Sequence, residues 1–131
     1  MASLADTTIL IDHLRGRPEA TDLLRQEMSA GEPVFASVLT RLELLAGARS
    51  NEGPRIGQLM RSLIWIDVTV AIADRAGAFA NRYGRSHQSI DAVDYVIAAT
   101  RDDLDVPLWT LNVKHFPMFR GLRVPYSMAG P

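Results

Sequence analysis

Leu4-Ala5-Asp6-Thr7-Thr8-Ile9-Leu10-Ile11-Asp12 reads as a very short apolar strand, a carboxylate, two hydroxyls and the opening of an apolar helix stripe. It is a strand-to-helix turn with Asp6 at its mouth. In open parallel sheets, ligands lie beyond the carboxyl ends of the strands, which is where Asp6 falls. Asp6 or Thr7 would equally serve as a helix N-cap, a position both residue types favour. A functional role for Asp6 therefore depends on other acids arriving at the same rim.

Working outward, the first helix stops at Arg15-Gly16-Arg17-Pro18, with Gly16 as C-cap and Pro18 opening the next helix. That helix, residues 19–30, buries Leu23, Leu24 and Met28 and is broken by Gly31-Glu32-Pro33. Val34-Phe35-Ala36-Ser37 is a buried strand, followed by a helix over residues 38–48, which repeats the opening layout. After a polar loop, Ile56, Leu59, Met60 and Leu63 share one helix face, whose part around Leu59, Met60 and Leu63 is a candidate surface for self-association. Trp65-Ile66-Asp67-Val68 is strand-like, residues 69–83 and 90–104 are helices, and Leu108-Trp109-Thr110 is a fourth strand. A helical turn over residues 113–119, a last short strand Leu122-Arg123-Val124 and a tail over residues 126–131 complete the chain. Strands alternating with helices predict an α/β fold with a central, mostly parallel sheet of four to five strands and helices on both faces. The length, 131 residues, suits a single domain over residues 1–131, with residues 119–131 as its last strand and tail.

Composition excludes several classes. There is no cysteine, so neither disulfides nor thiolate metal sites are available. The N-terminus has no basic region and Asp6 interrupts its apolar run, which argues against a signal peptide. No apolar stretch approaches the roughly 20 residues that span a bilayer, so a cytoplasmic protein without a membrane partner is expected. Net charge is −1, so bulk positive charge is not how this chain would hold a nucleic acid. P-loop, dinucleotide and Gly-x-Ser-x-Gly patterns are all missing, which disfavours nucleotide-dependent and acyl-hydrolase chemistry.

The remaining chemistry lies in acids. Glu43, in Thr40-Arg41-Leu42-Glu43-Leu44-Leu45-Ala46-Gly47, is followed at the helical positions three and four later by Ala46 and Gly47, so it has no basic helical partner. Asp91 and Asp94 share a helix face at a spacing of three, where like charges repel. The dipole explains Asp91 in a first turn capped by Ser89, whereas Asp94 lies deeper, at the edge of the buried stripe. Thr110 and Asn112 bring a hydroxyl and an amide to the same rim. An all-oxygen set of Asp6, Glu43 and Asp94, with Asp91 and Asn112 nearby, selects a hard divalent ion such as Mg2+, with Mn2+ as the alternative. His13, His87 and His115 are scattered without zinc-type spacing, so histidine ligation is not expected. Such a site suits hydrolysis of a phosphodiester.

Four blocks, in order, resemble the motifs of PIN-domain ribonucleases of the VapC toxin type. They are Asp6-Thr7-Thr8-Ile9-Leu10-Ile11-Asp12, Thr40 to Gly47 as quoted above, Asp94-Tyr95-Val96-Ile97-Ala98-Ala99-Thr100 and Thr110-Leu111-Asn112-Val113-Lys114-His115-Phe116. The resemblance implies a metal-dependent endoribonuclease, the toxin of a toxin–antitoxin pair. It assigns the family's first three acids to Asp6, Glu43 and Asp94, and its fourth position, often aspartate, to Asn112. Asp91 is then the residue that would supply the missing charge, and Thr8 and Thr110 match supporting hydroxyls. The resemblance also implies a homodimer, a small antitoxin that presents an arginine to the acids, and a structured RNA substrate, transfer RNA being common among relatives. Arg15, Arg17, Arg41, Arg82 and Arg85 flank the rim segments and are the candidate RNA contacts.

Two other readings compete. A catalytically inactive interaction protein on the same fold is suggested by Asn112. A receiver-type phosphoacceptor module needs a lysine after its last strand, but the only lysine, Lys114, precedes that strand.

Overall fold

A computed structural model describes residues 1–127 of the chain. Its elements are β1 (Ser3–Ala5), α1 (Thr7–Leu14), α2 (Pro18–Ser29), β2 (Val34–Ser37), α3 (Val38–Ala46), α4 (Gly53–Ser62), β3 (Ile64–Ile66), α5 (Val70–Tyr83), α6 (Ala92–Leu104) and β4 (Leu108–Trp109), followed by a 3-10 turn, Val113–His115. The strands form a four-stranded sheet in the order β3-β2-β1-β4, with every pairing parallel.

Side chains along a strand point alternately to the two faces, and the core divides accordingly. Ala5, Val34, Ala36, Trp65 and Trp109 lie in one cluster with Leu10, Leu14, Leu24, Leu44 and Leu59 from α1 to α4. Leu4, Phe35 and Leu108 lie in a second cluster with Ile97 and Ala98 of α6, together with Phe116. A third cluster, Ile72, Ala76, Ile90, Tyr95 and Ala99, seals α5 against α6 and takes in Ile66 of β3. Helices therefore cover both faces, as the strand–helix alternation predicts.

The order of the strands positions the site. From β1 the chain steps to β2 and then β3 through α1 to α4, and it returns through α5 and α6 to β4 on the far side of β1. The carboxyl end of β1 is thus a switch point of the sheet, the usual place for a ligand in an open α/β fold. Asp6 is the next residue.

Three expectations are corrected. Leu122-Arg123-Val124 is not a strand. It lies between Gly121, held at a φ of 74°, and Pro125, and Leu122 packs on the Phe116 cluster instead of pairing with β4. Leu59 and Leu63 form no docking surface, because at 4% and 6% exposure they face the α1–α2 side of the core. The exposed leucines lie on the outward stripe of α3, Leu42 at 61% and Leu45 at 55%. Finally, Ser89 does not cap α6. Asp91 does, while Ile90 and Tyr95, at the positions of a hydrophobic staple, share a buried cluster. Of the expected tail, residues 128–131 lie outside the described residues.

Candidate active site

Asp6 caps α1 and is 3% exposed. Its Oδ1 accepts the Thr7 N–H at 2.8 Å, and its Oδ2 accepts the hydroxyls of Thr8 at 3.1 Å and Thr110 at 2.6 Å. The pairing of Ala5 with Trp109 sets the next residues, Asp6 and Thr110, side by side. Both hydroxyls are themselves anchored: the Leu111 N–H donates to Thr8 Oγ1 and the Asn112 N–H to Thr110 Oγ1. With a lone pair of each oxygen so occupied, the hydroxyl protons are directed at Asp6. Burial pushes the Asp6 carboxyl above its ordinary range, opposed by these three hydrogen bonds and by the charge of His115.

Glu43 reaches the same turn from α3. Ser37 caps that helix, and Thr40 and Glu43, three residues apart, face the start of α1. The Thr7 hydroxyl donates to Glu43 Oε1 at 2.6 Å and hydrogen-bonds the Thr40 hydroxyl at 3.0 Å. Glu43 therefore joins Asp6 through a single residue, Thr7.

Asp94 stands in the first turn of α6, in a capping box. Its backbone N–H donates to Asp91 Oδ1 at 2.9 Å, and the Asp91 N–H donates to Asp94 Oδ2 at 3.4 Å. His115 Nδ1 lies 2.9 Å from Asp94 Oδ2. Partial burial, and then the charges of Asp91 and Asp6, push the Asp94 carboxyl up to about 6 against the opposing effects of the Asp91 backbone hydrogen bond and His115. Asp6 and Asp94 are thus close enough to repel. Among the described residues, none of Asp6, Glu43 and Asp94 has an arginine or lysine partner.

The structure gives some expected residues different work. The Asp91 side chain is exposed and engaged with its own helix terminus. Asn112 is exposed and contributes through its backbone N–H, with its amide making no hydrogen bond among the described residues. Thr110 is fully buried and holds Asp6, so it is not free to fix a water or a phosphate oxygen. Arg15 is bound to Glu52 at 2.6 Å, and Arg17 lies between Asp12 and Glu19, 3.7 and 3.5 Å away. Arg41 and Arg82 stack on the rings of Trp65 and Tyr83 yet stay exposed, as does Arg85 in the loop before α6.

Sequence reasoning missed His115, Thr7 and Thr40. The two threonines carried a signal, since Thr7 adjoins Asp6 and Thr40 lies one helical turn before Glu43. His115 carried none beyond its place in the block after β4, because its partner lies 21 residues away.

The donors fit a hard divalent cation in kind: they are carboxylate oxygens with no arginine or lysine partner among the described residues. Among the described residues, no three acidic or imidazole groups stand close enough to share one ion directly. This suits direct ligation by Asp6 and Asp94, with Glu43 acting through water. Magnesium habitually takes one or two carboxylates and keeps several waters.

Two outcomes follow from this geometry. Thr110→Val should lower stability at pH 7 by about 1.5–3 kcal/mol, the worth of a hydrogen bond to a charged group. In chemical denaturation the deficit should shrink as acid neutralises Asp6; a deficit independent of pH would mean that the bond to Asp6 is not its source. Asp94 gives the opposite slope. Its folded pKa, about 6, exceeds the 3.8 of an ordinary aspartate, so the native state binds the proton more tightly. Metal-free protein should therefore lose stability as pH rises from about 4 to above 6. Asp94→Asn should remove that slope and be more stable at pH 7 by about 1–2 kcal/mol, after allowance for partial solvent screening. Parallel curves for the two proteins in chelator would contradict this.

Fold and site together define an α/β protein with carboxylates gathered at the carboxyl rim of a four-stranded parallel sheet. A PIN domain family model matches residues 4–112. Ribonuclease VapC19 of Mycobacterium tuberculosis is 49% identical over 123 residues, covering 94% of this chain and 98% of the relative. Ribonuclease VapC10 of the same organism is 43% identical over 127 residues, covering 97% and 95%. Among solved structures, a toxin–antitoxin complex from Klebsiella pneumoniae matches with a TM-score of 0.76 and 30% identity, covering 96% of this chain and 99% of that one. VapBC2 from Rickettsia felis, bound to a promoter DNA fragment, matches with a TM-score of 0.79 at 18% identity over 95% and 97% of the two chains, a likeness of fold alone. The chain belongs to the PIN-domain family, within its VapC branch. No helix among the described residues is long and apolar enough to cross a membrane.

Proposed function

We propose that the protein is a divalent-metal-dependent endoribonuclease, the toxin of a toxin–antitoxin pair, acting on RNA in the cytoplasm. The observation that carries this reading is the approach of Asp6, just after β1, to Asp94, in the first turn of α6, with no arginine or lysine paired to either among the described residues. Support also comes from the relatives named as ribonucleases and from a structural neighbour named as a toxin–antitoxin complex. Asp6 and Asp94 would hold the ion, and Glu43 would orient water beside it. When bound, magnesium activates a water and offsets charge on the leaving oxygen.

The protein's own contribution is preorganisation. Thr8 and Thr110 fix the Asp6 carboxylate, Thr7 and Thr40 fix Glu43, and the capping box fixes Asp94. Arg41, Arg82 and Arg85 remain to receive RNA phosphates; arginine binds them bidentately. An antitoxin arginine entering the cluster would replace the charge of the ion and occupy the same oxygens. A homodimer is proposed on the family likeness, and sedimentation measures it. The test of activity is cleavage of total cellular RNA in magnesium. Discrete products that vanish with chelator or with cognate antitoxin are expected, and intact RNA under all conditions would overturn the reading.

A further inference from the structure

Asp94 presents its two oxygens unequally. Both protein donors that reach its carboxylate, His115 Nδ1 at 2.9 Å and the Asp91 N–H at 3.4 Å, go to Oδ2. Among the described residues no group donates to Oδ1. The backbone bond is long for N–H···O, so the imidazole is the stronger of the two constraints. Among the described residues it is also the only one from outside α6 and its N-cap. The ionised carboxylate that would hold a cation offers only acceptor atoms, so in that state the proton of the contact lies on Nδ1.

His115 is itself held from behind. The next residue, Phe116, is 1% exposed, and its ring stacks on Phe119 with centroids 6.4 Å apart. His115 N–H bonds Asn112 O and Phe116 N–H bonds Val113 O, so the 3-10 turn is closed on itself. A half-buried imidazole on a rigid turn that follows β4 therefore grips a carboxylate on a different element. Asn112, at the position that the family resemblance gives to a fourth acid, makes no side-chain hydrogen bond to the cluster among the described residues.

We infer that His115 is a positioning residue for the metal ligand Asp94: its hold on Oδ2 fixes the carboxylate so that Oδ1 alone is offered to the divalent ion. This inference rests on the metal-site reading above. A ligand whose unused oxygen is tied down loses less freedom when the ion binds, and removal of such outer partners commonly weakens metal affinity 10- to 100-fold. The residue acts through Asp94, so its loss should appear in the metal dependence before it appears in chemistry at saturating metal.

The test compares wild type, His115→Ala and His115→Asn; asparagine can offer an amide N–H near the place of Nδ1. Mg2+ and Mn2+ binding is followed by calorimetry, and RNA cleavage by metal titration. His115→Ala should weaken metal binding roughly 10-fold or more and move the midpoint of the metal titration by the same factor. Cleavage at saturating metal should largely recover, and His115→Asn should stay within about threefold of wild type. A purely structural role would lower the melting temperature of both variants and leave metal affinity unchanged. Should His115→Ala fail to fold, a His115→Asn protein that folds yet binds metal as poorly as Asp94→Asn would overturn the inference. Wild type that binds no metal would overturn both this inference and the site reading. Wild type and His115→Ala binding metal equally would overturn this inference alone.

Discussion

Asp6→Asn should reduce RNA cleavage by roughly a thousandfold or more, since loss of a direct ligand forfeits several kcal/mol of transition-state stabilisation. The same change should leave the folded protein at least as stable as wild type. Asparagine has nearly the shape of aspartate, keeps an oxygen for the Thr7 N–H, and offers an amide to the hydroxyls of Thr8 and Thr110. It also removes a buried charge whose pKa burial has already raised. Activity and stability therefore separate at this position. Cleavage assays beside thermal melts check it. Cleavage equal to wild type would remove Asp6 from the site, and a collapsed melting temperature would show that its role is to hold β1 to β4.

Phe116→Ala should show the converse, a large loss of stability from a residue that touches no substrate. The ring is 1% exposed, is packed with Leu4, Ile97, Ala98 and Leu108, and stacks on Phe119. Truncation of a buried phenylalanine costs about 3–5 kcal/mol, through lost transfer energy and the cavity left behind. For a domain of this size that corresponds to a drop in melting temperature on the order of 10–20 °C. Because Phe116 anchors the turn carrying His115, weaker metal binding should accompany the loss. A deficit below about 1 kcal/mol in urea denaturation would mean that the cavity collapses at little cost.

The fold was largely legible because its cues are local. The alternation of Leu4 and Ala5, or of Phe35 and Ala36, between the two faces of the sheet reads directly as buried strands. Gly16, Gly31 and Pro18 mark the helix ends where they were expected. Local cues also misled where two of them competed. Ser89 and Asp91 are both good caps, and only the burial of Ile90 against Tyr95 decides for Asp91. Val124 suits a strand, but it stands exposed and outside the sheet, one residue before Pro125.

The site was legible in part for a different reason. Asp6 caps α1 and Asp94 lies in the first turn of α6, so topology brings these two to one rim, whereas Glu43, in the middle of α3, is tied to the same turn through Thr7. Their supporting bonds span 104 residues from Thr110 to Asp6, 36 from Thr7 to Glu43 and 21 from His115 to Asp94. Such contacts follow from strand register and turn geometry, which no spacing along the chain encodes. Arg15 and Arg17 show the same limit in reverse. Each resembles a free rim cation in sequence, and each is held by acids of the fold.

The central claim is that Asp6 and Asp94 share one divalent cation, and diffraction from crystals soaked in Mn2+ tests it most directly. The account predicts an anomalous peak within ligand distance of Asp94 Oδ1 and of an Asp6 oxygen, with Glu43 joined to it through water. Manganese bound only elsewhere, or no peak between these two carboxylates at saturating ion, would contradict it.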